Sequence, residues 1–496
     1  VQASLERSGI PGVEVDTELA WARVLQLAGQ PSEARAVMER LLDRVQFYRE
    51  RLPGVITAWY VGHRELLMRQ YVDGVLAVAG PGGENGMPLL QALERVRKLE
   101  GASGQADNDA EGTRSLVARI QAGQPAPDDA LSRQVSAELE AFRAASGWSS
   151  RAPTREVLRD ALGEIGRNDA ALAYYFGKEW VYAVRADRKG ARQVRIGKSG
   201  GIRGQIKSIM DGLAKPDSTA PDAGLSRLGQ TLLGAFSDNV GERIYLLASG
   251  PLNGFPFDAL RLDGEYLAAN HRLINLASLQ ALKELPGALD RGFGDRVFLA
   301  GNPRAGRDLF SYGVSSSEEI AAVRDQFVGG GLHIVQGVAL RGDEFLDERY
   351  ANAALLHMAM PGRVDLSRPE RSRLLLSGER ESPTAEFLSP ADLRGLAVRA
   401  QLAVLSGTTF THRDGTDFDS RLGLVHDLQD AGARQVLAAL WPAGDAELAR
   451  LMSSFYQRLI DARDVSEALF ESRRALMTSA EGANFHAWAG FQLFIR

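Results

Sequence analysis

The sequence predicts a mainly parallel α/β sheet covered by helices on both faces, preceded by an all-helical region. Three observations carry that prediction. From Ala170 onward, short β-branched and aromatic runs alternate with helical segments, the rhythm of strand–helix–strand units. The later runs are continuously apolar rather than alternating, as in strands buried on both faces. Residues 15 to 150 keep helical periodicity, and 496 residues exceed what one hydrophobic core organises, so two domains are expected.

The helical region opens on an αα-hairpin. Leu19, Val24 and Leu27, then Ala34, Val37, Met38, Leu41 and Leu42, recur at helical spacing on either side of Gly29-Gln30-Pro31-Ser32. Gly29 followed by Glu33-Ala34 resembles the turn of a tetratricopeptide repeat, in which a glycine closes one helix and a small residue makes packing space in the next. Segments 55–79 and 88–100 keep the helical period without that signature and read as degenerate repeats or capping helices. Stretches 101–114 and 122–130 are rich in small, polar and proline residues and read as loops. A helix over about 130–145 follows, which puts the boundary between Ser146 and Arg167. The domains expected are therefore 1–150, helical, and 167–496, α/β.

Candidate strands in the second domain are Ala170–Phe176, Val181–Arg185, Gln193–Ile196, Arg243–Ala248, Val297–Ala300, His333–Val335, Ala353–Met358, Leu402–Ser406, Gln435–Leu440 and Gly490–Ile495. After Trp441-Pro442, Asp445 stands where it would cap a helix with Leu448, Met452, Phe455 and Leu459 along one stripe. Asp464-Val465-Ser466-Glu467 has the spacing of a capping box, with Glu467 reaching back to the cap.

Composition removes several function classes. A formal net charge of −5 offers no electrostatic case for nucleic acid. The absence of cysteine removes disulfides, thiolate metal sites and thiol nucleophiles together. The seven histidines show no paired ligand spacing, so neither a metal nor another cofactor is expected. No apolar run reaches membrane-spanning length and the first residues show no signal-peptide pattern, which points to the cytoplasm, although the chain begins at Val1 and a targeting segment could have preceded it. Gly197-Lys198-Ser199 has the end of a phosphate-binding loop, but Arg192 stands where that loop needs glycine, and the match is rejected.

The stretch Gln401–Thr411 is a short apolar strand opening into a turn of small hydroxyl-bearing residues. Ligands of α/β sheets gather beyond the carboxyl ends of the strands, so chemistry would sit there. His412 follows in the same loop with Asp414, Asp417 and Asp419, either a pocket for a basic side chain or a solvated acidic loop. His357, inside an apolar strand, reads as a satisfied core histidine.

Several ordered landmarks in 231–496 together resemble a CHAT domain, the caspase-like peptidase domain found beside tetratricopeptide repeats in bacteria. They are Gly250–Leu260 (GPLNGFPFDAL), Tyr266-Leu267, Leu355–Gly362 (LLHMAMPG), Leu402–Ser406, Ala431–Arg434, Leu440–Pro442, Leu451–Leu459 and Trp488–Phe491. The resemblance implies a caspase-like mainly parallel sheet sandwiched by helices. It also implies a Cys nucleophile after the strand in L-S-A-C-E-T-G and a His base at the end of H-x-A-T-H-G. Here the nucleophile position falls on Thr408, the residue before it on Gly407, and the base position on Pro361, with His357 at the motif's first histidine. His357 lies four residues upstream of the base position, about 13 Å along an extended strand, beyond a general base's reach.

The reading that follows is a caspase-like pseudopeptidase without a catalytic dyad, serving as a protein-binding, regulatory or scaffolding subunit whose partner is a protein, such as an active protease. Its residual peptide cleft would be formed by His357, Gly362, Ser406, Gly407, Thr408, Thr409, His412 and Asp414. The alternative is a hydrolase with Thr408 or Ser406 as nucleophile and His412 as base, which needs that base in hydrogen-bond reach. A third reading is a plain scaffold whose cleft is filled by side chains.

Overall fold

A computed structural model describes residues 11–51, 53–80, 83, 85–101, 153–213, 222–285, 289, 293, 296–303, 316–327, 331–366, 371–378, 386–411, 422–441, 444–479 and 485–496. The loops expected at 101–114 and 122–130 and the helix at 130–145 lie almost wholly outside them. The chain divides into two compact units, Val1–Asp160 with Gly190–Gln193, and Ala161–Lys189 with Val194–Arg496.

The first unit contains α1 (Pro11–Leu27), α2 (Pro31–Arg51), α3 (Pro53–Ala79) and α4 (Met87–Gly101), neighbours in sequence packing against one another. Gly29 closes α1 with φ +75°, a conformation that excludes most side chains, and Pro31 opens α2. On α2 the predicted stripe is buried, Ala34, Met38 and Leu41 almost completely. On α1 the register differs from the expectation. Val15, Leu19, Ala22 and Leu25 are buried, while Val24 and Leu27 are 51% and 82% exposed. Positions 15, 19, 22 and 25 follow the helical period, and Val24 and Leu27 fall on the other side of the helix.

After α5 (Arg155–Gly163), the second unit is built on an 11-stranded sheet. Its N-terminal part comprises β1 (Ala170–Phe176), β2 (Trp180–Asp187), β3 (Gly190–Lys198), α6 (Ser199–Leu213), α7 (Asp222–Leu233) and β4 (Arg243–Leu247). The hairpin β5 (Arg261–Leu262) and β6 (Glu265–Tyr266), then α8 (Leu267–Asn270) and β7 (Arg272–Leu276), follow. The central part runs β8 (Val297–Pro303), α9 (Ser317–Arg324), β9 (Leu332–Gly337), α10 (Glu348–Ala351), β10 (Leu355–Ala359), β11 (Gly362–Asp365), β12 (Arg373–Leu376), β13 (Glu386–Leu388) and α11 (Pro390–Gly395). The chain closes with β14 (Leu402–Leu405), β15 (Thr408–Thr411), α12 (Leu424–Ala431), β16 (Gln435–Ala439), α13 (Asp445–Ala462), α14 (Val465–Met477), α15 (Phe485–Ala489) and β17 (Phe491–Ile495).

Strand order in the large sheet is β3-β2-β1-β4-β7-β17-β16-β14-β10-β8-β9. The neighbours from β16 to β9 are parallel, and so are those from β1 to β17. β16 and β17 are antiparallel, so the two halves run in opposite directions. The mainly parallel α/β class read from the sequence is the one observed. β10, β14, β16 and β17 are buried along their whole length, which is why they are written in Leu, Val, Ala, Met and Phe. Helices α9, α13 and α14 form one packed group, and α11 and α12 another.

Two expected caps differ in detail. The residue before α13 is Gly444, and Asp445 is already helical. Asp464 does cap α14, accepting from the Glu467 N–H, but the Glu467 carboxylate turns away to pair with Arg272. A cation on β7 draws that carboxylate more strongly than a neutral backbone N–H.

Candidate functional site

The site is organised by β10 and β14, adjacent parallel strands third and fourth from the β9 edge of the sheet, in register Leu355↔Leu402 and His357↔Val404. Beyond their carboxyl ends both chains run on into a second sheet, ordered β13-β12-β11-β15. The expected hydroxyl-bearing turn over 407–411 is thus mostly strand β15. Three β-branched threonines in four residues suit a pleated conformation, and β11 supplies the partner. Parallel register sets Gly362 opposite Thr408, and the Gly362 N–H donates to the Gly407 carbonyl at 3.1 Å. The chain segments following the two strands are therefore hydrogen-bonded side by side.

Such an approach requires glycine at both positions. A Cβ on Gly407 would stand 2.3 Å from the Met360 carbonyl oxygen, and one on Gly362 would stand 2.5 Å from a Leu374 methyl and 3.0 Å from the Thr408 methyl. Thr408, the residue the sequence resemblance matches to the nucleophile, is fully buried, and its hydroxyl donates to the Ala439 carbonyl at 2.6 Å, at the end of β16. A second, longer contact reaches the Leu405 carbonyl at 3.4 Å. Ser406 is also buried, and its hydroxyl has no hydrogen-bond partner among the described residues. Thr409 and Gly407 are half-buried, and Gly362 is buried. Pro361, at the base position, is half-buried and engaged through its carbonyl, which accepts the Leu375 N–H at 2.8 Å.

His357 does not turn toward these residues. Wholly buried, it places Nδ1 2.9 Å from the Tyr456 hydroxyl on α13 and Nε2 3.1 Å from Glu319 Oε1 on α9. The carboxylate is close enough for an ion pair but lies outside hydrogen-bond geometry. Burial, reinforced by the Glu319 charge, holds the Tyr456 phenol well above its ordinary range and so in its neutral form. His357 is thus a core histidine with named partners, as its apolar strand implied. Neither Glu319 nor Tyr456 carries a local sequence signal for this role. Of the remaining predicted cleft residues, His412 and Asp414 lie outside the described residues.

A second buried charge pair fixes the framework. Asp258, from the Gly250–Leu260 landmark, meets Arg473 of α14, whose guanidinium also donates to the carbonyls of Trp488, at 3.1 Å, and Phe491. Burial pushes the Asp258 carboxyl up despite the guanidinium beside it. The landmark residues Phe257, Asp258, Trp488 and Phe491 are all almost fully buried, so they have packing roles. Among the described residues no cluster of His, Asp and Glu is suited to a metal ion, and no helix is long and apolar enough to cross a membrane.

Fold and site together define a class: an α/β domain in which two adjacent parallel strands of the large sheet run on into a second, smaller sheet. The CHAT domain family matches residues 222–495, and the chain belongs to that family. Among curated proteins, Tetratricopeptide repeat protein 28 of Mus musculus is 32% identical over 107 residues, 22% of this chain. The Homo sapiens protein of the same name is 30% identical over 107 residues. The chain spans 4% of the length of these relatives. Among solved structures, a chain of the Saccharomyces cerevisiae separase–securin complex aligns over 97% of this chain and 44% of its own length, with TM-score 0.47 and 8% identity. The Arg-specific cysteine proteinase gingipain R aligns over 60% of this chain and 74% of its own, with TM-score 0.32 and 9% identity.

Proposed function

We propose that this CHAT-family protein is a non-cleaving, protein-binding subunit, acting in the regulation or scaffolding of a cytoplasmic, bacterial assembly. The observation that carries the reading is the state of Thr408: buried, with its hydroxyl donated to the Ala439 carbonyl rather than presented to a base. Hydroxyl nucleophiles need an adjacent base to take their proton, and Pro361 has no titratable group. The family's company with tetratricopeptide repeats supports a protein partner, received by the helical domain 1–150, by the α/β domain 167–496, or by both. In the cleft, Gly362, Ser406, Gly407 and Thr409 would hold peptide, with His412 and Asp414 at its edge and His357 and Thr408 as supports behind it.

The experiment is a turnover assay of the purified chain against a mixed peptide library. No cleavage above a heat-denatured control is expected. Cleavage that disappears in Thr408→Ala would overturn the reading. The unpartnered Ser406 hydroxyl is the one observation favouring a hydrolase, and Ser406→Ala in the same assay decides whether it acts as a nucleophile with His412.

A further inference from the structure

Away from the cleft, a groove of about 560 Å³ lies between the 3₁₀ turn Gly342–Leu346, strand β13 and helix α11. Its size is within the usual range for ligand sites. Phe345, Leu376 and Leu388 are among its apolar lining residues, each at most 5% exposed. Leu346, beside them, is 77% exposed, an unusual state for a leucine that touches an apolar groove. Among the described residues β13 is the terminal strand of its sheet, with β12 on one side and no strand on the other. Such an edge accepts an added strand.

The charge is one-signed. Glu386 and Asp392 line the groove, and among the described residues no lysine or arginine does. Asp343, on the same 3₁₀ turn, is paired with Arg341 at 3.9 Å and is not counted toward the groove's charge. Asp392 Oδ2 accepts from the Ser389 N–H and hydroxyl in the α11 capping box, while Glu386 has no ion pair among the described residues. Arg373 lies over the Phe387 ring, 4.8 Å from its centroid, and is not part of the lining.

We infer that this groove docks an extended, basic segment of a partner protein. The segment adds to the β13 edge through its backbone, seats an apolar side chain against Leu346 and Phe345, and directs flanking Lys or Arg side chains to Glu386 and Asp392. Rim carboxylates of this kind contribute on-rate and salt dependence, and the apolar anchor contributes affinity. The groove is separate from the degenerate cleft, so failure here leaves the non-cleaving reading of Thr408 standing.

The test probes an array of immobilised octapeptides, each position varied, with the full chain. Enrichment of a bulky apolar residue flanked by Lys or Arg is expected. Binding of the best peptide, measured in solution, should fall about tenfold or more in Leu346→Asp and in Glu386→Lys, and should weaken between about 50 and 500 mM salt. Leu346 and Glu386 are sufficiently exposed for both variants to fold, which circular dichroism checks. Absence of enrichment, preference for acidic peptides, or binding unchanged in both variants overturns the proposal. Concentration-dependent self-association abolished by Leu346→Asp also overturns it, by assigning the groove to a second copy of the chain.

Discussion

The Thr408 hydroxyl donates to the Ala439 carbonyl at 2.6 Å, joining the strand that replaces the family's nucleophile turn to the neighbouring central strand β16. At the position that the sequence resemblance matches to the family's nucleophile, this chain carries a buried hydrogen bond. Thr408→Val keeps the shape and removes the donor, withdrawing a partner from a buried carbonyl. Such a change costs about 1–2 kcal/mol, readable as a lower urea midpoint at unchanged m-value. A variant as stable as the parent would show that the hydroxyl is not holding the strand in place.

Gly407 makes the second prediction. Its missing Cβ leaves room for the Met360 carbonyl oxygen, which would otherwise stand at 2.3 Å. Backbone cannot rotate away as a long side chain can, so Gly407→Ala must part β11 from β15. A loss of about 1–3 kcal/mol is expected, the range for overpacking a tight site. Hydrogen exchange should locate it, with faster exchange at Gly362, whose N–H donates to the Gly407 carbonyl across this junction. Uniform destabilisation without local change would count against this account.

How much was legible beforehand follows from where each element gets its stability. β10, β14, β16 and β17 are covered on both faces, so burial writes them as apolar runs that single-sequence reading can find. β11, β12 and β13 have three or four residues each, and exposed or half-buried residues such as Arg363, Arg373 and Glu386 interrupt them. Their existence depends on a pairing register set elsewhere in the chain, which leaves no local period. At the site, Pro361 and Thr408 were singled out only by their place in a motif that the chain resembles. Glu319 was not: near the start of α9 an acidic residue reads as a solvated helix terminus, whereas here the carboxylate is buried against His357.

That buried contact supports a third prediction. Removing one member of a buried polar contact leaves the other without its neighbour, typically at about 1–3 kcal/mol, while replacing both by apolar groups is often neutral. His357→Leu should therefore be destabilising. The double variant His357→Leu with Glu319→Leu should recover most of the loss. Urea denaturation of the four members of the cycle measures the coupling, and additive effects would mean that the carboxylate and imidazole do not depend on one another.

The last prediction concerns pH and the start of α14. Burial alone would raise the Asp464 pKa, but hydrogen bonds from the Ser466 hydroxyl and the Glu467 N–H, with Arg243 at 3.6 Å, hold it below the ordinary carboxylate value. A carboxylate whose folded pKa is depressed stabilises the fold above its unfolded pKa, about 3.9, and loses that contribution as pH falls through the folded value. Asparagine caps helices nearly as well as aspartate, so Asp464→Asn removes the charge and keeps a cap. Near neutral pH the variant should be less stable by about 0.3–1 kcal/mol, the usual worth of a negative charge at a helix N-terminus. Below about pH 4 the difference should shrink toward zero, since the native carboxyl is then protonating too. Asp464→Ala, which loses the cap itself, should cost about 1 kcal/mol near neutral pH and retain part of that deficit in acid. Thermal melts of the three proteins across pH 3 to 7 separate the two contributions, because only the charge contribution has a reason to change with pH.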